Sequence, residues 1–290
     1  MSFLHNTRTT LEMIKWEHSI FALPFALTGA MLAAHGVPPL RVLGWIIVCM
    51  ISARSAAMAF NRWVDADLDA ANARTAMRAI PAGQLSKNYA LGFILFTSAL
   101  FIFSASRLNR VTLLLSPLAL AIVFLYSLTK RFTRWSHLFL GVSLGIAPAA
   151  AWIAVRGNLD ARILVLTLAV ILWVAGFDAL YACQDVDHDR AVGLHSLPQA
   201  YGVAAAFWAA RVFHVVMLGL LLWLTVLFNL GRVSVVGVVL VAALLLWEHL
   251  IVSPRDLRRL NAAFFTMNGI IAMVFFISVA TDLLWRAPAR

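Results

Sequence analysis

Two short stretches of this sequence hold residues that could do chemistry together. Residues 61–69 read NRWVDADLD and residues 181–189 read YACQDVDHD. Each carries aspartates at alternate positions: Asp65, Asp67 and Asp69, then Asp185, Asp187 and Asp189. Residues four apart share a helix face. Asp65 and Asp69 are therefore expected to stack below Asn61, and Asp185 and Asp189 below Tyr181, with Asp67 and Asp187 pointing elsewhere. Two carboxylates one turn apart repel, and a divalent cation reverses that sign. Mg²⁺ takes oxygen ligands, usually one or two carboxylates plus substrate phosphates. Two such faces opposing each other would hold a cation–diphosphate complex between them. One acidic helix end is ordinarily just solvated. Here six of the 13 acidic residues fall in two stretches at matched register, which solvation does not explain.

The elements that position these residues must lie in a membrane. Of the 290 residues, 62% are hydrophobic and 12% charged, whereas a soluble domain carries about 45–50% and about 25%. That composition excludes a soluble enzyme, a disordered chain and a secreted disulfide scaffold. It leaves an all-α, polytopic membrane protein forming one unit over residues 1–290. Apolar segments of span length, about 17–25 residues, run near 16–35, 41–61, 88–106, 110–128, 136–155, 161–183, 203–228, 232–252 and 262–285. Nine helices are expected; barrel strands are shorter and alternate. Both acidic stretches sit at the end of a span, four spans apart, on the same side.

With nine spans, the polar connections at 62–87, 129–135, 184–202 and 253–261 share the side of the N-terminus. Thirteen Lys/Arg fall there against eight on the other side, and Arg54 and Arg211 lie inside spans. This bias predicts an inner-membrane protein with its N-terminus and polar loops in the cytoplasm. The same rule accounts for the net charge of +10, so no nucleic-acid partner is expected. Cys49 and Cys183 lie in apolar runs and read as small core residues.

At these residues the sequence resembles the UbiA-type intramembrane prenyltransferases, and within them the 4-hydroxybenzoate polyprenyltransferase group. The family signature N-x3-D-x3-D is matched by Asn61, Asp65 and Asp69, and Y-x3-D-x3-D by Tyr181, Asp185 and Asp189. NARTAMRAIPAG at 72–83 is similar to the family's arginine-rich run, and YSLTKRFTRWSHLFLG at 126–141 to its tyrosine-to-KR loop. The departures are Ala73 and Ala79, where proline and Arg-Pro are frequent, and Arg62, where aspartate is usual. The resemblance implies helices around a central cavity that opens laterally to the bilayer. It also implies Mg²⁺-dependent transfer of a polyprenyl group from polyprenyl diphosphate to the ring of a small aromatic acid.

Roles follow residue by residue. Asp65, Asp69, Asp185 and Asp189 are expected to hold Mg²⁺ against the diphosphate. Asn61 supports the first cluster and borders the acceptor, and Tyr181 orients the ring or the diphosphate. Arg74, Arg78, Lys130 and Arg131 are the diphosphate clamps, since guanidinium suits bidentate phosphate contact and ammonium acts as a point charge. Arg54 lies seven residues before Asn61 on the same face, and an intramembrane arginine is a functional hypothesis by default. It is expected to meet the acceptor's carboxylate. Asp178, seven before Asp185, matches an aspartate that lines the family's acceptor pocket. Tyr126 and His137 are weaker candidates. Arg134, Arg255, Arg258 and Arg259 read as anchoring charges. Glu17 with His18, Arg211 with His214, and Glu248 with His249 read as local intramembrane pairs. Asn268, after Phe264 and Phe265, is expected along the isoprenoid tunnel.

The acceptor stays open between 4-hydroxybenzoate, leading to ubiquinone, and 1,4-dihydroxy-6-naphthoate, on the futalosine route to menaquinone. The stretch at 13–32 and the run ARSAAMAFNR at 53–62 look most like a branch some of whose members resemble the naphthoate enzyme. An ion-coupled transporter is the alternative from another class. Transporters place their sites near the midplane, often on broken helices, whereas these acids cluster at span ends beside a basic loop.

Overall fold

The computed structural model describes residues 3–14, 22–254, 257, 260 and 266–286, and their regular structure is helical. A short helix α1 (Phe3–Ile14) precedes α2 (Leu23–Ala34), a 12-residue helix. Then come α3 (Leu40–Val64), the short α4 (Ala66–Ala71), α5 (Lys87–Ser106) and α6 (Arg110–Thr129). The pair α7 (Ser136–Gly145) and α8 (Ala147–Arg156) forms one span, broken at Ile146 where Pro148 removes a donor. The chain continues through α9 (Ile163–Tyr181), a 3₁₀ turn (Ala182–Asp185), α10 (Val186–Ala191), α11 (Leu197–Tyr201), α12 (Val203–Leu227), α13 (Arg232–Ile251) and α14 (Asn268–Arg286).

Eight helical stretches among the described residues are long and apolar enough to cross a membrane. Helix α2 is the described part of the first expected span. Glu17, His18, Arg255, Arg258, Arg259, Phe264 and Phe265 lie outside the described residues. Apolar side chains on most helices face outward, as lipid contact requires, while α9 runs through the middle and is largely buried. Its Trp173 is fully buried and stands between Phe25 of α2 and Phe177, each with ring centroids 5.0 Å away.

Apolar side chains gain little by leaving lipid for protein, so close packing through small residues holds membrane helices together. At two contacts the obstacle to a side chain larger than glycine is a main-chain carbonyl. A Cβ on Gly141 of α7 would stand 2.4 Å from the Ile171 carbonyl of α9, and one on Gly29 of α2 would stand 2.3 Å from the Pro148 carbonyl of α8.

Helix α3 does not continue straight through its acidic end. It stops at Asp65 (φ −95°, ψ 6°) before α4 resumes. The second stretch repeats this at Asp185 (φ −109°, ψ 7°), between the 3₁₀ turn and α10. Both aspartates take the sparsely populated bridge conformation that recurs at active sites. The expectation of one uninterrupted helix under each motif is thereby corrected.

The α7–α9 contact is tested by Gly141→Ala. Forcing a methyl against a main-chain carbonyl is expected to destabilise by about 1–3 kcal/mol, read as a lower thermal midpoint in detergent. A midpoint equal to wild type would show that the two helices are not held at backbone distance.

Candidate active site

The two acidic stretches face one cavity of about 540 Å³, lined from α3, α4, α6, α7, α9, α10 and the loops at 72–78 and 194–196. Eleven of the sequence-predicted residues stand on its wall together with Arg62 and His137. They are Arg54, Asn61, Asp65, Asp69, Arg74, Arg78, Lys130, Asp178, Tyr181, Asp185 and Asp189, and the weaker candidate Tyr126 lines it as well. Asp67 and Asp187 point away into solvent.

Each motif carboxylate is held by a group from a different element. Asp65 is almost fully buried and receives Lys130 Nζ at 3.0 Å. Asn61 Nδ2 donates to its Oδ2 at 3.2 Å, and Arg62 Nη1 donates to the Asn61 Oδ1 at 3.2 Å. Asp69 accepts from Arg78 Nη1 at 2.7 and 2.8 Å. Asp185 accepts a bidentate pair from Arg74, Nε at 2.8 Å plus Nη2, and a further bond from Asn72 Nδ2 at 3.3 Å. Asp189 accepts from Ser196 Oγ at 3.0 Å.

The 72–78 loop therefore spans the gap, with Arg78 on the first motif and Arg74 on the second. Asn72 shapes it by accepting the Arg74 N–H at 2.9 Å, and Thr75 Oγ1 donates to the Asp69 carbonyl at 3.0 Å. Arg74 also reaches the Tyr181 hydroxyl at 3.3 Å and lies 5.7 Å from that ring's centre. Burial lowers the Arg74 pKa, but its bonds to Asp185 and Tyr181 outweigh this and raise it above the usual arginine value. The guanidinium stays charged.

Arg131 is placed differently from its expected role. It does not line the cavity; its Nη2 donates to the Val64 carbonyl at 2.8 Å and to Asp65 Oδ1 at 3.1 Å. It caps the end of α3 and reaches the cavity only through Asp65. Asn268 is likewise fully buried against Glu248 at 3.4 Å and not on this wall. The expected local pairs form between helices instead: His214 Nδ1 meets His249 Nε2 at 3.0 Å.

Two cavity residues carry more than their sequence signal suggested. Arg62 looked like a departure from a motif, yet it is 8% exposed and faces the cavity beside Arg54. Neither arginine has a carboxylate partner among the described residues, and Arg54 Nε has no hydrogen-bond partner. The second is His137, 3% exposed, whose Nδ1 lies 2.7 Å from Asp178 Oδ2. No three His, Cys, Asp or Glu side chains among the described residues gather as a ready-made metal site. What gathers is two carboxylate pairs around one space, with cations on Asp65, Asp69 and Asp185 and a hydroxyl on Asp189.

The model of the UbiA prenyltransferase family matches residues 22–277. The chain belongs to that family. The UbiA homologue of Aeropyrum pernix K1, solved in its apo form, is 32% identical, superposes with a TM-score of 0.83 and is covered over 98% of its length by 92% of this chain. A 4-hydroxybenzoate octaprenyltransferase of Vibrio cholerae is 30% identical across 254 residues, 86% of this chain and 88% of its own. An Archaeoglobus fulgidus UbiA homologue bound to DMAPP and Mg²⁺ shares the fold with a TM-score of 0.73 over 95% of this chain and 99% of its own, at 19% identity. This UbiA member is a multi-pass membrane prenyltransferase, which sets aside the carrier reading.

Lys130 and Arg131 are adjacent but should behave differently. Lys130→Ala is expected to weaken binding of inorganic diphosphate by about tenfold or more. Arg131→Ala should cost less binding and show chiefly as a lower thermal midpoint. Equal binding losses, measured by calorimetry in detergent, would return Arg131 to the clamp.

Proposed function

We propose that this enzyme transfers a polyprenyl group from polyprenyl diphosphate to the ring of 4-hydroxybenzoate, in the ubiquinone pathway. The carrying observation is the sorting of charge around one cavity. Carboxylates paired with Lys130, Arg74 and Arg78 line one part of it, and Arg54, without a carboxylate partner among the described residues, stands about 10 Å along α3 from Asn61.

Asp65, Asp69, Asp185 and Asp189 offer hard oxygen donors, two from each side, and fit Mg²⁺ completed by substrate phosphates. When bound, the ion supplies positive charge where the departing diphosphate gathers its negative charge. Lys130, Arg74 and Arg78 now rest on Asp65, Asp185 and Asp69. With those aspartates engaged elsewhere, the same three cations turn to phosphate oxygens, and Arg62 adds a fourth. Preorganised charge of this kind is the largest single contribution to many rate enhancements. It acts on ionisation of the allylic C–O bond. The cation so formed must meet an electron-rich ring before water does, which requires a held acceptor and a dry pocket. Arg54 holds the acceptor's carboxylate, with Asp178 and Asn61 beside the ring. The basic bias of the N-terminal side supports an inner-membrane enzyme whose cavity mouth faces the cytoplasm.

Membranes carrying the enzyme are given Mg²⁺, a polyprenyl diphosphate and either 4-hydroxybenzoate or 1,4-dihydroxy-6-naphthoate, and the product is weighed. Prenylated benzoate is expected. Prenylated naphthoate would keep the metal and clamp assignments and move the enzyme to menaquinone. No product with either acid in a folded sample would overturn the acceptor class. Asp65→Ala and Asp185→Ala are each expected to lower turnover by at least about 10²-fold, and chelation of divalent ions to abolish it reversibly. Arg54→Ala is expected to raise KM for the aromatic acid while leaving KM for polyprenyl diphosphate within about twofold.

A further inference from the structure

The chain of bonds that fixes Asp178 begins beside the second acidic motif, where Ser196 meets Asp189. The Leu197 N–H lies 3.2 Å from His137 Nε2. A main-chain N–H can only donate, so Nε2 carries the lone pair and the proton of the neutral ring sits on Nδ1. From there it is donated to Asp178 Oδ2 at 2.7 Å. Both ring nitrogens are thus committed, and the ring is buried. His137 cannot itself take a proton from substrate. What it does is choose the orientation of Asp178, occupying Oδ2 and leaving Oδ1 to the cavity.

Leu197 is in turn fixed by its neighbours. Ser196 Oγ donates to Asp189 Oδ2 at 3.0 Å and accepts the Gln199 N–H at 3.3 Å, and the His195 N–H donates to the Lys130 carbonyl at 2.7 Å. Three consecutive residues are pinned to the second acidic motif, to the clamp Lys130 and to His137.

We propose that His137 is a positioning residue that aims Asp178 at the aromatic acceptor, and that segment 195–197 makes its setting depend on whether Asp189 and Lys130 are engaged with diphosphate. This rests on the prenyl-transfer reading above. In the reaction the ring carbon bonds to the allylic carbon, and the C–O pair leaves with diphosphate. The ring proton passes to Asp178 Oδ1, which restores aromaticity; Asp178 then releases it to water. The linkage makes the acceptor end competent when the diphosphate end is filled, so the allylic cation is not formed beside an unprepared pocket. By reciprocity, diphosphate and acid tighten each other's binding.

Two measurements test this in nanodiscs. The ¹⁵N-histidine spectrum of the wild type, compared with His137→Asn to assign the signal, is expected to show His137 with Nδ1 protonated and Nε2 bare. Mg²⁺ with inorganic diphosphate should shift that signal, and Ser196→Ala should abolish the shift. An Nε2–H tautomer, or no response to diphosphate, overturns the proposal whatever acceptor the enzyme takes. Kinetically, His137→Leu should lower kcat roughly ten- to a hundredfold with KM for polyprenyl diphosphate within about twofold. His137→Asn, whose amide places a donor near the Nδ1 position, should recover most of kcat without the coupling. If Asn is no better than Leu, or the diphosphate KM rises with the loss of kcat, His137 only packs the site. Absence of product from wild type defeats the prenyl-transfer reading, and the spectrum still decides the link.

Discussion

Aspartates crowded at the mouth of a low-dielectric cavity repel, and an unpaired buried carboxylate is among the most costly features a fold can carry. This chain answers that constraint with cations from other elements: Lys130 from the end of α6 on Asp65, Arg78 on Asp69 and Arg74 on Asp185. Removing Asp65, Asp69 or Asp185 would take the partner from a half-buried cation, so the clamp residues and these carboxylates stabilise each other in the absence of substrate. The same pairs also fit turnover. An arrangement in which each cation already faces an anion needs only an exchange of partners when diphosphate arrives, not the import of naked charge.

The bundle exists to hold these partners at fixed distance. Helix α9 carries Asp178 and Tyr181 at one end and is buried along most of its length. Helix α7, which carries His137, approaches it at backbone distance through Gly141. Such contact leaves little room for one helix to slide on the other, so the His137–Asp178 separation is set by main-chain geometry and not by side-chain adjustment. At the acidic ends the backbone breaks at Asp65 and Asp185 aim the two halves of each motif differently.

Much of this was legible in the residues. The motif spacing located both acidic ends, and Arg54, Asn61, Asp178 and Tyr181 all stand on the cavity wall as their heptad or one-turn offsets required. What failed did so for physical reasons. Helical periodicity cannot show where a helix will bend, so one straight acidic face was expected where the bridge conformation of Asp65 turns the chain. Adjacent positions point in different directions at a helix end, so Lys130 enters the cavity while Arg131 caps α3. Arg62 differed from the usual motif residue, and only its burial shows that it belongs to the cavity. The role of Leu197 is carried by a main-chain N–H, which no side-chain pattern reveals.

The loop from Asn72 to Arg78 has a consequence for how such a chain can change over time. It touches both motifs at once, gripping Asp69 through Arg78 and Asp185 through Arg74 and Asn72. An inserted or deleted residue between Asn72 and Arg78 would slip one grip relative to the other, and both acidic ends would lose their counter-charge together. Connections on the far side, such as Gly36–Pro39 or the turn at Gly157, hold no such pair of anchors. Length variation among descendants of this sequence should therefore gather in those far turns, while the arginine loop drifts in composition but keeps its length.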